Sequence, residues 1–183
     1  MLKFVITEIS CIPEICFQGI EKNGEKDMQK RVKICIIASS GGHLKQALAL
    51  SPLMEKFESV LVTEKVSGGL SGLGQTKVYF LNQVNRKEIS FIFNMVVNTL
   101  KSLRILAKEK PTVVVSTGVL ATIPMCVLAK LIGIKVIYIE SFAKIHSGTL
   151  TGKLLYRVAD YFFVQWETML EVYPKAIFKG GLY

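Results

Sequence analysis

The stretch 35–50, CIIASSGGHLKQALAL, holds the residues best suited to chemistry. An apolar run ends in Ser40, Gly41 and Gly42, and His43 then begins a segment with helical spacing. Backbone N–H groups at a helix start favour anions, and glycine lets a phosphate approach the backbone. A histidine beside a bound phosphate can accept a proton from a hydroxyl, because free histidine titrates near neutrality. The alternative is a turn residue that only faces solvent.

A second turn of the same design follows at 116–124, STGVLATIP, where Thr117 and Gly118 precede a predicted helix. Two such turns side by side suit a diphosphate better than one, although packing alone explains them equally well. The third glycine of the dinucleotide fingerprint and the lysine–hydroxyl pair of a Walker loop are both missing. The cysteines show no metal-ligand spacing. We therefore predict no cofactor and no metal.

Two further segments carry candidate residues. Glu140 sits at the end of a predicted strand, which places it on the ligand side of a parallel sheet. The long apolar segment 89–108 carries Lys101, Arg104 and Lys108 on one helical face. This segment is either a core helix with a solvated basic face or a surface that meets anionic lipid, and its membrane-facing candidates are Phe91, Phe93, Lys101, Arg104 and Lys108.

The elements that position these residues alternate regularly from residue 32 onwards. Strands alternating with helices predict a Rossmann-like α/β fold, an open parallel sheet with helices on both faces. Its ligands bind where the strand order reverses, here between the first and fourth strands. The predicted strands cover residues 32–38, 59–63, 77–81, 113–116, 135–140, 161–164 and 176–178. The predicted helices cover residues 44–56, 89–108, 120–132 and 150–159, with a short one from 166.

The composition restricts the class of binding partner. The formal charge of +9 favours phosphate or membrane, and no pattern of a nucleic-acid-binding module accompanies it. The most membrane-like stretch, 113–139, contains Pro124, Lys130 and Lys135 and is predicted as strand–helix–strand rather than as a membrane span. Residues 32–183 are predicted as one domain. Residues 1–31 are predicted as an extension with a polar linker: an extra helix, a poorly ordered tail or an amphipathic anchor.

Several segments together resemble one family. The loops SSGGHL and STGVLATIP and the stretches IYIESFAKIHSGTLTGKLLYRVADYFFVQW and YPKAIFKGGLY are similar to the membrane-side subunit of the split N-acetylglucosaminyltransferase of dolichol-linked glycan synthesis. Bacterial relatives serve capsule and exopolysaccharide assembly as enhancer subunits. The resemblance implies the N-terminal, acceptor-binding half of a GT-B glycosyltransferase, on the inner face of the cell membrane as a peripheral protein.

The resemblance also implies partners and roles. A small nucleotide-sugar-binding subunit would complete a heterodimer, and the acceptor would be a polyprenyl-diphosphate sugar. His43 would be the general base, and the acceptor diphosphate would meet Ser40, Gly41, Gly42, Thr117 and Gly118. Glu140 and Ser141 would contact the acceptor or the other domain. The rival interpretations are a non-catalytic scaffold that anchors the partner and a stand-alone enzyme with a nucleotide cofactor.

Overall fold

The fold is built on a sheet of seven parallel strands in the order β3-β2-β1-β4-β5-β6-β7. The computed structural model describes residues 32–65 and 76–182. The order reverses between the first and fourth strands, as the sequence predicts. The strands are β1 (Lys33–Ile37), β2 (Glu58–Glu64), β3 (Lys77–Leu81), β4 (Val113–Ser116), β5 (Lys135–Ile139), β6 (Tyr161–Val164) and β7 (Ile177–Phe178).

Helices cover both faces of this sheet, so the predicted fold class is confirmed. They are α1 (Gly42–Leu48), α2 (Ser51–Lys56), α3 (Phe91–Glu109), α4 (Ile123–Leu131) and α5 (Leu150–Leu155). Short 3-10 turns cover Leu120–Thr122 and Glu167–Leu170. Helices α1 and α2 lie on one face, and α3, α4 and α5 lie on the other.

Strand β1 shows why the apolar runs are continuous. Its side chains alternate between the two faces, with Ile34 and Ile36 packed in the core beneath α1 and α2. Cys35 and Ile37 point the other way, into the core beneath α3 and α4. Both faces are therefore buried, as in other parallel sheets covered by helices.

The single helix predicted over 44–56 is wrong. The chain forms α1 and α2 instead, and Leu50 closes the end of α1 with a bond from its N–H to the carbonyl of Ala47. Pro52 explains the break, because proline has no N–H to continue the ladder and favours the first turn of a new helix. The helix predicted over 150–159 is regular only to Leu155.

The strand–helix–strand prediction for 113–139 is confirmed by β4, α4 and β5. Within residues 32–65 and 76–182, no helix combines the length and the apolar composition that a membrane crossing requires. The predicted extension 1–31 lies outside the described residues.

A buried carboxylate joins the end of α3 to the sheet. Glu109 accepts a hydrogen bond from Lys33 Nζ at 2.5 Å and another from the hydroxyl of Tyr79. The bond from Lys33, followed by that from Tyr79, lowers the pKa of Glu109 to about 2. Lys33 also pairs with Glu58 at 2.7 Å. This cluster lies at the amino ends of the strands and is structural.

Candidate functional site

The two loops predicted to bind the ligand lie side by side at the carboxyl ends of β1 and β4. Thr117 Oγ1 donates to the carbonyl of His43 at 2.9 Å, and His43 Nδ1 lies 2.6 Å from the carbonyl oxygen of Thr117. A carbonyl can only accept, so Nδ1 carries the proton of this bond. In the neutral ring, Nε2 then keeps its lone pair. The loop contact therefore sets the tautomer that a general base requires.

Gly118 is packed tightly behind the His43 ring. A Cβ at this position would lie 3.1 Å from His43 Cε1 and 3.3 Å from Tyr138 Oη, and the backbone φ is +113°. Val119 follows with φ 83° and ψ 148°, a conformation that costs energy for a β-branched residue. Glycine at 118 therefore leaves the room that the His43 ring needs.

Gly42 differs from Gly118, because no atom lies within 4 Å of the position its Cβ would take. Gly41 is equally open but has φ +77°, which itself favours glycine. The fold therefore gives no packing reason for glycine at 42. The open space lies beside His43, where the sequence predicts a phosphate.

Three N–H groups of the predicted diphosphate loops have partners inside the protein. The Ser40 N–H and hydroxyl both donate to Glu64 Oε2, at 3.3 and 3.2 Å. The Thr117 N–H donates to Ile37 O, and the Gly118 N–H donates to the Ser116 hydroxyl. Glu64 is buried at the end of β2 and brings negative charge to the Ser40 side. Phosphate binding by these residues stays a prediction.

A cleft of about 590 Å³ opens beside His43. The loop 82–90 between β3 and α3 supplies one wall, including the exposed cations Arg86 and Lys87. The sequence-based prediction of the site missed this loop, although two cations in the loop that follows the carboxyl end of β3 were a usable signal. The lining residues are His43, Val84, Asn85, Arg86, Lys87, Val119, Leu120, Thr149, Leu150 and Thr151.

Glu140 is buried, with 1% of its surface exposed. Its carboxylate accepts from the Ser141 N–H at 2.8 Å and from the hydroxyls of Thr149 and Tyr173, both at 2.9 Å. A Cβ on Gly152 would lie 1.9 Å from Glu140 Oε2. Glu140 therefore holds the start of α5 against the sheet, where Thr149 reaches the cleft. The predicted contact of Glu140 and the buried Ser141 with acceptor or partner stays untested.

The tyrosines around Glu140 are held in their neutral form. Burial, followed by the nearby charge of Glu140, raises the pKa of Tyr138 well above its usual value. The same two causes, in the same order, raise the pKa of Tyr173. Both hydroxyls therefore remain hydrogen-bond donors to the carboxylate across the physiological pH range.

Helix α3 buries some polar residues and exposes several apolar ones. Asn98 and Ser102 are fully buried, whereas Ile92 and Phe93 are 73% and 69% exposed. We call the exposed apolar residues the outer stripe: Ile89 in the turn before the helix, then Ile92, Phe93, Val96, Leu100 and Leu103 along one side of it. Water-facing apolar area of this kind marks an interaction surface.

The predicted membrane-facing residues divide into two groups. Phe93 belongs to the outer stripe, and Arg104 and Lys108 are exposed next to it. Phe91 is only half-exposed. Lys101 is also half-exposed, and its Nζ donates to Asn82 Oδ1 at 2.6 Å.

Two solved structures are similar to this chain in fold. MurG from Acinetobacter baumannii is 19% identical with a TM-score of 0.60, over 75% of this chain and 42% of its own. The UDP-N-acetylglucosamine 2-epimerase from Rickettsia bellii is 15% identical with a TM-score of 0.63, over 82% and 45%. The chain spans less than half of either structure. Its fold is the Rossmann-like half of the GT-B architecture.

The chain belongs to the family described as oligosaccharide biosynthesis protein Alg14 like, which matches residues 34–182. Its relatives include the UDP-N-acetylglucosamine transferase subunit ALG14 of Mus musculus, 27% identical over 84% of both chains. The Schizosaccharomyces pombe subunit alg14 is 25% identical over 98% of this chain and 99% of its own. The Rattus norvegicus subunit ALG14 is 32% identical over 57% and 54%.

Proposed function

We propose that this chain is the acceptor-binding subunit of a two-component glycosyltransferase. It binds a polyprenyl-diphosphate-linked saccharide, and a smaller partner subunit brings the UDP-sugar. The observation that carries the proposal is the His43 ring, fixed by Thr117 with Nε2 as the free base beside the cleft. The word subunit in the relatives' names supports a partner. A capsular or exopolysaccharide product is supported by the bacterial resemblance alone.

The proposed chemistry is a direct displacement with inversion. His43 Nε2 takes the proton of the acceptor hydroxyl while the hydroxyl oxygen attacks the anomeric carbon of the donor sugar. The bond from that carbon to the UDP oxygen breaks, and UDP leaves with the electron pair. Holding the imidazole in one tautomer and orientation supports this step, because the fixed base loses no freedom in the transition state.

The outer stripe supports attachment to the cytoplasmic face of a membrane. Its apolar side chains would enter the lipid interface, while Arg104 and Lys108 meet anionic head groups. A co-sedimentation experiment with vesicles of neutral and anionic lipid tests this contact. Ile92→Glu with Leu100→Glu should abolish binding. The matched control is Leu131→Glu with Ile132→Glu, because these two residues are equally exposed but lie outside the stripe. Equal loss in both double variants contradicts the assignment.

The catalytic role of His43 has a closely matched test. His43→Asn keeps a donor for the Thr117 carbonyl but removes the Nε2 lone pair. We expect kcat to fall by about 10²- to 10⁴-fold in the complex with the partner subunit. His146→Asn, at an exposed histidine, is the control and should leave kcat unchanged.

The same assay decides between catalysis and scaffolding. If His43→Asn forms an intact complex with normal turnover, the chain is a non-catalytic scaffold that recruits its partner. The exposed outer stripe is the observation that favours this second function. Size-exclusion chromatography of the complex separates lost assembly from lost chemistry.

A further inference from the structure

The loop 82–90 carries two positive charges at the cleft. Arg86 and Lys87 are exposed and line the cleft with His43. Among residues 32–65 and 76–182, no ion pair involves either of them. The carboxylate of the neighbouring Glu88 accepts from Asn85 Nδ2 at 3.0 Å and from the Ser90 hydroxyl at 3.1 Å, so its bonds lie within the loop itself. In the part of the chain that the structure describes, these two adjacent cations therefore line the cleft without an ion-pair partner.

Buried hydrogen bonds anchor the base of this loop. The Asn82 N–H donates to Asn98 Oδ1 at 2.8 Å, and Asn98 Nδ2 donates back to the Asn82 carbonyl at 2.9 Å. The side chain of Asn82 also donates to Asn94 Oδ1 at 3.0 Å. A fully buried asparagine in the middle of a helix is costly unless both amide groups are bonded. The cations are thus carried by a loop whose starting point is fixed.

The glycine loops across the cleft supply little charge. The N–H groups of Ser40, Thr117 and Gly118 are engaged inside the protein, and the Glu64 carboxylate lies against Ser40. A diphosphate beside His43 therefore needs its counter-charge from another element. Within the cleft lining, Arg86 and Lys87 are the lysine or arginine side chains that supply it.

We infer that Arg86 and Lys87, here called the cation pair, bind the diphosphate of the ligand opposite His43 and the open space at Gly42. This inference rests on the proposed function, because it treats the ligand as a prenyl diphosphate. An arginine guanidinium donates two hydrogen bonds to phosphate oxygens, and a lysine ammonium adds a second positive charge. Ile89, fully exposed two residues after the cation pair, begins the outer stripe along which a prenyl chain can leave towards lipid.

Calorimetric titration of the full chain tests the cation pair. The probes are farnesyl diphosphate below its micelle concentration, farnesyl monophosphate and UDP. Comparing farnesyl diphosphate with UDP shows whether the site prefers the diphosphate of a lipid or that of a nucleotide. Arg86→Gln with Lys87→Gln is compared with Lys56→Gln and Arg157→Gln, which remove the same charge from exposed positions outside the cleft.

We expect the Kd of farnesyl diphosphate to rise about 10- to 100-fold in the cation-pair variant, since a hydrogen bond to a charged group contributes about tenfold in affinity. The control should stay within about twofold, and the monophosphate should bind the wild type more weakly than the diphosphate.

Each contrary result has a separate meaning. Equal binding of farnesyl diphosphate by wild type and cation-pair variant overturns the inference and leaves the proposed function standing. Loss of UDP binding alone supports a diphosphate site but overturns the acceptor role. A wild-type chain that binds neither diphosphate overturns the cation pair as a site.

Discussion

Alanine substitutions at Gly118 and Gly42 should change stability in opposite directions. At Gly118 a Cβ would press on His43 and on the buried Tyr138 hydroxyl, at 3.1 and 3.3 Å, with φ at +113°. The backbone conformation costs about 1–3 kcal/mol, and loss of the His43–Thr117 bond costs about 1 kcal/mol more. If both costs apply in part, Gly118→Ala should lower the free energy of unfolding by about 1–3 kcal/mol. At Gly42 the space is open and the residue begins a helix, so alanine should stabilise by up to about 1 kcal/mol.

Both substitutions should nevertheless lower transfer by the complex, for different reasons. Gly118→Ala pushes the base aside by a few tenths of an ångström, so kcat should fall, though by less than the factor of about 10² that a shift of about 1 Å costs. Gly42→Ala fills the space proposed for the phosphate, so the KM for the acceptor should rise. Urea denaturation gives the free energies, and steady-state transfer gives kcat and KM. Wild-type stability of Gly118→Ala, or a wild-type acceptor KM for Gly42→Ala, refutes the corresponding step of the reasoning.

Three further substitutions test the framework around the cleft. Glu109→Gln should lower the free energy of unfolding by about 2–3 kcal/mol at pH 7, because the folded-state pKa of Glu109 lies at about 2 against an ordinary 4.5. This stabilisation is present above pH 4.5, so urea titrations should show the difference shrinking as pH falls towards 2; a constant difference contradicts the ion pair with Lys33. Asn98→Leu should lower the free energy of unfolding by about 1–3 kcal/mol and speed amide hydrogen exchange in loop 82–90, because it leaves the N–H and the carbonyl of Asn82 unpaired. Unchanged exchange contradicts the anchoring role. Tyr173→Phe should lower the free energy of unfolding, measured by thermal denaturation, by about 1–3 kcal/mol, because the buried Glu140 loses one hydrogen-bond donor. An unchanged free energy means that water replaces the hydroxyl.

Much of the fold could be predicted from local patterns. The continuous apolar runs at 34–38 and 113–116 predict buried strands, because a strand covered by helices on both faces of the sheet is apolar at successive positions. The turns at Ser40 and Thr117 could be placed at the switch point, because strand–helix alternation restricts the sheet order. The break at Pro52 was missed, although proline was visible, because the apolar spacing continues across it.

The site was predictable only where the signal is local. The pairing of Glu140 with Tyr173 joins residues 33 positions apart, and the bond from Ser40 to Glu64 joins residues 24 apart. From the sequence, Glu140 is predicted to contact the acceptor or the other domain, and Glu64 has no predicted role. The contacts place Glu140 as a support for α5 and Glu64 as the partner of Ser40.

The sequence by itself determined the alternating elements, the glycine–histidine turn and the apolar character of α3, because periodicity and backbone freedom are local properties. Tertiary structure alone decided the tautomer of His43, which depends on a carbonyl 74 residues away. It also brought Arg86 and Lys87 to the cleft and turned Ile92 outward. Distances between remote segments depend on strand order and register, and a helix with apolar residues on two sides does not say which side meets the core.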